Sequence, residues 1–221
     1  GVGTARVAEY LCSQLAVDYQ IIDAMAEAKR AALVFDATGL ETPEQLRELY
    51  DFFHPQLRSL LPCARIVVVG TTPEAAETID ARIAARALEG FTRSLAKEMR
   101  KGGTVNLVWA DPAATAEVES TLRFFLSGKS AFVDGQVVRV AAHAQAPEAA
   151  NWEKPLDGRL AVVTGAARGI GATIAEVLSR DGADVICIDV PQASEHLAKT
   201  ANKVKGTALP LDVTDPQAAD K

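Results

Sequence analysis

The hydrophobic pattern of the chain alternates short, wholly apolar runs with longer amphipathic stretches. Runs without polar alternation are typical of strands that are covered on both faces. Their alternation with helical stretches predicts an α/β fold, in which helices cover a parallel sheet. The predicted strands are residues 32–35, 66–69, 105–109, 136–140, 160–163, 185–188 and 208–211.

The longest amphipathic stretch, from Asp80 to Lys101, predicts a helix. The apolar stripe of this helix packs either on its own sheet or against the same helix of a second copy. We expect the opposite face, which carries Arg82 and Arg86, to be solvated rather than to bind phosphate. The predicted apolar stripe consists of Ile83, Ala87, Leu88, Phe91, Leu95 and Met99.

Residues 141–156 interrupt this alternation because they are small, polar and punctuated by proline, which predicts a linker. The linker separates a first domain, residues 1–140, from a second that covers residues 157–221. The second domain is too short for a closed doubly wound core, so we expect it to be the start of a Rossmann domain.

Composition and charge indicate a soluble globular protein of the cytoplasm. The chain has 221 residues, of which 48% are hydrophobic and 24% charged, and its net charge is -6. An acidic balance without a basic block argues against a nucleic-acid partner, and no apolar run approaches the ~18 residues of a membrane helix. Cys12, Cys63 and Cys187 lie far apart, which predicts reduced thiols and no metal site.

A glycine-rich turn is the strongest chemical signal in the sequence. Thr164, Gly165, Gly169 and Gly171 follow an apolar strand directly and open a helix. Glycines let a pyrophosphate approach the backbone, and the helix N-terminus offers unpaired N–H groups and a positive dipole end. The order strand, turn, helix, strand therefore predicts a dinucleotide site. The alternative is a structural turn without a ligand.

Asp189 ends the second strand of this unit, 24 residues after Gly165. A carboxylate there can accept hydrogen bonds from an adenosine ribose and repels a 2′-phosphate, which favours NAD(H). Arg168 is able to pair with a 2′-phosphate, so NADP(H) remains possible. The alternative for Asp189 is a carboxylate that only caps a turn.

The spacing of the glycine turn resembles that of the short-chain dehydrogenase/reductase family. Residues 211–215, with the sequence LDVTD, are similar to the segment after the third strand in that family. The resemblance implies a set of residues that hold the cofactor. They are Gly165, Arg168, Gly169, Ile170, Gly171, Asp189, Asp212 and Val213.

The first domain resembles a later part of the same fold. Residues 65–71 are similar to the fifth strand of the family, which ends at the catalytic serine, and residues 85–96 to the helix after the catalytic lysine. The resemblance implies that Thr71 replaces the serine, Ala81 the tyrosine and Ala85 the lysine. We therefore expect a degenerate, non-catalytic flavodoxin/Rossmann-like domain.

Together the two domains resemble the high-molecular-weight class of β-ketoacyl-acyl carrier protein reductase. This implies NADH-linked reduction of a 3-oxoacyl thioester of acyl carrier protein or coenzyme A, in fatty-acid metabolism, by a homodimer or larger homo-oligomer. The family's catalytic residues follow the third strand, so we expect them beyond Lys221 and expect no catalytic residue in this chain. The alternatives are a non-catalytic dinucleotide-binding or scaffolding module, and a short-chain reductase for a different carbonyl.

Overall fold

The computed structural model describes residues 6–22, 28–142, 151 and 153–220. It divides into two compact units, Gly1–Pro147 and Glu148–Lys221, each with its own parallel sheet. These sheets and the helices between their strands confirm the predicted α/β fold. The predicted linker, residues 141–156, lies largely outside the described residues.

The first unit is a four-stranded parallel sheet with the order β1-β2-β3-β4. All seven residues of β3 are buried, as expected for a central strand that is covered on both faces. The strands are β1 (Arg30–Asp36), β2 (Leu60–Thr71), β3 (Thr104–Ala110) and β4 (Val137–Val140). The helices are α1 (Ala8–Leu15), α2 (Arg47–Gln56), α3 (Ile79–Glu98) and α4 (Val118–Leu126).

Two hydrophobic cores lie on the opposite faces of this sheet. Helices α2 and α3 cover one face, with Phe53 and Leu88 fully buried. Helices α1 and α4 cover the other face, where Leu11 and Leu122 are buried. Strand order follows chain order, yet α4 lies on the other face from α2 and α3. The β3–α4–β4 crossover therefore has the opposite hand to the two crossovers before it, a departure from the usual single hand.

Helix α3 confirms the predicted helix, and its buried stripe departs from the predicted one at Ile83 and Ala87. Ile83 is 50% exposed and Ala87 is only partly buried. The helix packs tightly on β2 at Gly70, where an added Cβ would lie 2.5 Å from Cδ1 of Leu88. The residues buried on α3 are Ala84, Ala85, Leu88, Thr92, Leu95 and Ala96.

The three residues at the end of the predicted stripe pack on their own sheet. Phe91, Leu95 and Met99 all contact the core under α2 and α3. The ring of Phe91 lies 5.3 Å from that of Phe53, measured between centroids. In this unit these side chains therefore serve the core of one chain.

The second unit is a three-stranded parallel sheet with the order β5-β6-β7. Its core is built largely from alanine, valine and leucine side chains, with Cys187 and Leu197 fully buried. No helix among the described residues of either unit is long and apolar enough to cross a membrane. The elements are β5 (Leu160–Thr164), α5 (Gly169–Arg180), β6 (Asp184–Asp189), α6 (Ser194–Val204) and β7 (Thr207–Pro210).

The packing of α3 predicts opposite effects for two of its apolar residues. We expect Phe91→Ala to lower the free energy of unfolding by about 2 kcal/mol, because it leaves a gap beside Phe53. We expect Ile83→Ala to change it by less than about 0.5 kcal/mol, because half of that side chain already faces solvent. Urea titration followed by circular dichroism measures both free energies of unfolding. Equal losses of stability in the two variants would contradict the burial of Phe91 and the exposure of Ile83.

Candidate cofactor-binding site

The carboxyl ends of the three strands of the second unit meet at one edge of the sheet. Thr164 pairs with Ile188, and the backbone N–H of Leu211 donates to the carbonyl of Asp189 at 2.8 Å. The turn after β5, the carboxylate at the end of β6 and the segment after β7 are therefore neighbours. Ligands of open α/β sheets bind at this edge.

Glycine is required at three positions of the turn, for two different physical reasons. Gly165 and Gly169 have φ values of +66° and +61°, a left-handed conformation that strains any other residue. No heavy atom lies within 4 Å of a Cβ added at either position, so the backbone there is open to an approaching group. A Cβ on Gly171 would lie 2.1 Å from the carbonyl oxygen of Gly165, so this glycine lets α5 pack against the end of β5.

Helix α5 begins inside this turn and carries two of the predicted residues at its start. Arg168 occupies the N-cap position with an extended backbone and makes no side-chain cap hydrogen bond. Arg168 is exposed, and Ile170 is 82% exposed. The first N–H groups of a helix have no partner within it and lie at the positive end of its dipole. The backbone therefore fits the pyrophosphate of a dinucleotide.

Asp189 is bound to the turn itself. Its Oδ2 accepts a hydrogen bond from the backbone N–H of Ala167 at 2.9 Å, and its Oδ1 accepts one from Val190 at 2.8 Å. Each carboxylate oxygen can accept more than one hydrogen bond, so the group also fits ribose hydroxyls. The alternative of a capping carboxylate and the predicted ribose contact are thus compatible. The bond to Ala167 was not predicted from the sequence.

The segment after β7 places Asp212 and Val213 at the same edge. Oδ1 of Asp212 accepts hydrogen bonds from the backbone N–H of Thr214 at 2.9 Å and from its hydroxyl at 2.7 Å. This local turn holds the segment in shape, and 56% of Val213 is exposed. Val213 thus offers an apolar surface where the resemblance implies a contact with the cofactor.

Sequence reasoning missed one contributor to the site, Thr200. This buried residue of α6 donates its hydroxyl to the carbonyl of Ala167 at 3.3 Å. A threonine inside a helix has no pattern that reveals a partner 33 residues away, so only the fold identifies it.

The carboxyl edge of the first unit has different chemistry. Thr71 ends β2 and donates its hydroxyl to the carbonyl of Thr38 at 3.3 Å. Ala85, at the position implied for the family's lysine, is buried on α3. Ala81 lies in the first turn of that helix, and its backbone N–H donates to the Thr78 cap. Alanine side chains cannot exchange a proton. The non-catalytic role of this domain stays a prediction.

An ion network lies at this edge instead. Glu74 accepts hydrogen bonds from Arg86 at 2.6 Å and from Arg139 at 2.8 Å. Both guanidinium groups lie over the ring of Trp109, at 5.4 and 4.8 Å from its centroid. The hydrogen bond from Arg139 is the main cause that lowers the pKa of Glu74 to about 2. Among the described residues, no group of three His, Cys, Asp or Glu side chains could hold a metal ion.

Comparison with known proteins finds a family match within the second unit. Residues 159–221 match the family described as short chain dehydrogenase. The chain is 37% identical over 90 residues to fluoren-9-ol dehydrogenase of Terrabacter sp., covering 39% of this chain and 25% of that protein. It is 38% identical over 63 residues to NAD-dependent glycerol dehydrogenase of Listeria innocua, covering 28% and 25%.

A solved structure of a 3-oxoacyl-[acyl-carrier protein] reductase with bound NAD from Brucella melitensis is also similar. The identity is 21%, the match covers 51% of this chain and 62% of that one, and the TM-score is 0.39. The chain spans about a quarter of the length of the curated relatives that it matches.

The close approach at Gly171 predicts a strong effect of one methyl group. Gly171→Ala forces α5 away from the carbonyl of Gly165, and we expect it to destabilise the second unit by roughly 1–3 kcal/mol. Gly90→Ala, within α3, meets no atom within 4 Å and is expected to stabilise the first unit by about 0.5–1 kcal/mol. Hydrogen exchange resolved by peptide reports the stability of each unit separately. Unchanged exchange rates in the second unit of Gly171→Ala would contradict the close packing at Gly171.

The lowered pKa of Glu74 predicts an acid dependence for the first unit. A carboxylate with a depressed pKa in the folded state contributes stability above its unfolded pKa and loses it as the pH falls through the folded value. We therefore expect wild type to have the higher melting temperature than Glu74→Gln at pH 6, and the difference to vanish as the pH falls from about 4.5 to about 2. Melting curves across this range measure it. A difference that is the same at every pH would contradict the prediction.

Proposed function

We propose that the second unit binds NAD(H), with the pyrophosphate on the glycine-rich turn and the adenosine ribose on Asp189. One observation carries the proposal: the carboxylate of Asp189 is hydrogen-bonded to Ala167, within the turn itself. A dinucleotide seated on the turn thus has its ribose within reach of that charge. The open backbone at Gly165 and Gly169 supports the same placement.

The preference for NAD(H) over NADP(H) follows from the placement of opposite charges. Asp189 is held by two backbone hydrogen bonds, so its negative charge cannot swing away from a 2′-phosphate. The side chain of Arg168 is exposed and has no such anchor as a cap of α5. The fixed carboxylate therefore decides the preference. One relative, the NAD-dependent glycerol dehydrogenase of Listeria innocua, is named for the same cofactor.

For the protein as a whole, we propose a short-chain reductase that converts a 3-oxoacyl thioester to the 3-hydroxyacyl thioester in the cytoplasm. The substrate would be carried by acyl carrier protein or coenzyme A, and the enzyme would be a homo-oligomer. The support is the resemblance of both domains to the high-molecular-weight reductase class. The bound nicotinamide would supply the hydride, while the residues of this chain bind and orient the cofactor.

A second candidate is a reductase or dehydrogenase for a different carbonyl or alcohol. The names of the curated relatives favour it, since one is a fluoren-9-ol dehydrogenase and another a glycerol dehydrogenase. Both candidates use the same cofactor site. The two candidates differ in the substrate that the whole protein turns over. Rates measured with 3-oxoacyl thioesters, with glycerol and with fluoren-9-ol distinguish them.

The charge at Asp189 predicts the cofactor preference and its reversal. We expect the wild-type chain to bind NADH more tightly than NADPH, and Asp189→Asn to narrow the ratio of the two Kd values about tenfold, because the amide removes the charge and keeps an acceptor for Ala167. Asp184→Asn removes the same charge at the other end of β6 and should leave the ratio unchanged. Fluorescence titration measures each Kd. Equal binding of NADH and NADPH by wild type would contradict the proposed preference.

A further inference from the structure

The peptide groups on both sides of Ala167 are held from two different elements. Its N–H donates to the carboxylate of Asp189 on β6 at 2.9 Å, and its carbonyl accepts from the hydroxyl of Thr200 on α6 at 3.3 Å. Ala167 is 5% exposed and lies between Gly165 and Gly169, the two open glycines of the turn. The backbone of the turn is therefore held at Ala167, one residue before Arg168, which occupies the N-cap position of α5.

The hydrogen bond from Thr200 to Ala167 is not one that helix α6 itself requires. A hydroxyl inside a helix usually bonds to the carbonyl one turn earlier in the same helix. Here the hydroxyl reaches instead to a residue 33 positions away, from a side chain that is 7% exposed. Its neighbours Leu197 and Ala201 are buried in the core of the unit, so α6 cannot rotate to move the hydroxyl.

Fixing this carbonyl also fixes the next N–H group. The peptide bond is planar and trans, so the carbonyl of Ala167 and the N–H of Arg168 point in opposite directions. The carbonyl is directed inward to α6 by Thr200. The N–H of Arg168 is therefore directed away from α6, beside the first N–H groups of α5, where the proposed pyrophosphate would accept its hydrogen bond.

We infer that Thr200 is a positioning residue of the cofactor site, which orients the Ala167–Arg168 peptide so that its N–H faces the pyrophosphate. The inference rests on the proposed binding of NAD(H). Thr200 itself touches no cofactor, and it acts through the backbone of the turn. Its effect on binding should therefore depend on the hydroxyl and not on the size of the side chain.

Three variants of the 221-residue chain test this role. Thr200→Val removes the hydroxyl at nearly constant volume, and we expect it to raise the Kd for NADH about tenfold. Thr200→Ser retains the hydroxyl and should restore the wild-type Kd. Ser179→Ala is the matched control, because Ser179 also donates from a helix to a distant carbonyl, that of Val204 at 2.9 Å. It should lower the melting temperature without changing the Kd.

A second measurement keeps this inference separate from the proposed function. In amide NMR spectra without cofactor, Thr200→Val should shift the resonances of Arg168 and Gly169, whereas Ser179→Ala should not. If these resonances do not move, or if Thr200→Val binds NADH like wild type, the positioning role is wrong while NAD(H) binding stands. If wild type binds no NADH, the proposed function fails and the cofactor role fails with it, whatever the spectra show of the turn.

Discussion

The contact between Gly171 and the carbonyl of Gly165 is the constraint on which the second unit depends. The space beside Gly171 is so small that no side chain fits, because a Cβ there would lie 2.1 Å from the Gly165 oxygen. This contact brings the start of α5 against the end of β5 and leaves the first N–H groups of the helix at the carboxyl edge of the sheet. Two hydrogen bonds then hold the turn in that position: the N–H of Ala167 donates to Asp189, and its carbonyl accepts from Thr200.

Each unit has a carboxylate at the carboxyl edge of its own sheet, and the two carboxylates have different partners. In the first unit Glu74 is neutralised by Arg86 and Arg139, which are themselves stacked on Trp109. In the second unit Asp189 is held by backbone N–H groups, which fix its position and leave its charge in place. The first arrangement is a closed surface network that presents no acid or base near neutral pH. The second would present a charge to the proposed cofactor.

Much of the fold and of the site was predictable, because both depend on local patterns. All seven predicted strands are confirmed, because each apolar run is bounded by turn residues. Strand β3 is also buried along its whole length. The glycine turn has local physical reasons at Gly165, Gly169 and Gly171. The burial of α3 was predicted wrongly at Ile83 because its orientation depends on close approach to the sheet, which favours Ala84 and Ala85 over a larger side chain. Hydrogen bonds between distant elements, such as that of Thr200, follow only from the tertiary structure.

Asp189 accepts a hydrogen bond from Ala167 and is also the proposed partner of the ribose. These two roles together have a consequence for how cofactor preference can evolve or be engineered. If Asp189 contacts the ribose as proposed, a mutation that exchanges this carboxylate for a basic or apolar residue would alter the recognised nucleotide. The same mutation would remove the acceptor of the Ala167 N–H. Selection for the phosphorylated dinucleotide would then be opposed by a loss of order in the turn. Replacements that retain an acceptor, asparagine or serine, are the accessible first steps. Epistasis between this position and residue 200 follows, since the two anchors share one peptide segment.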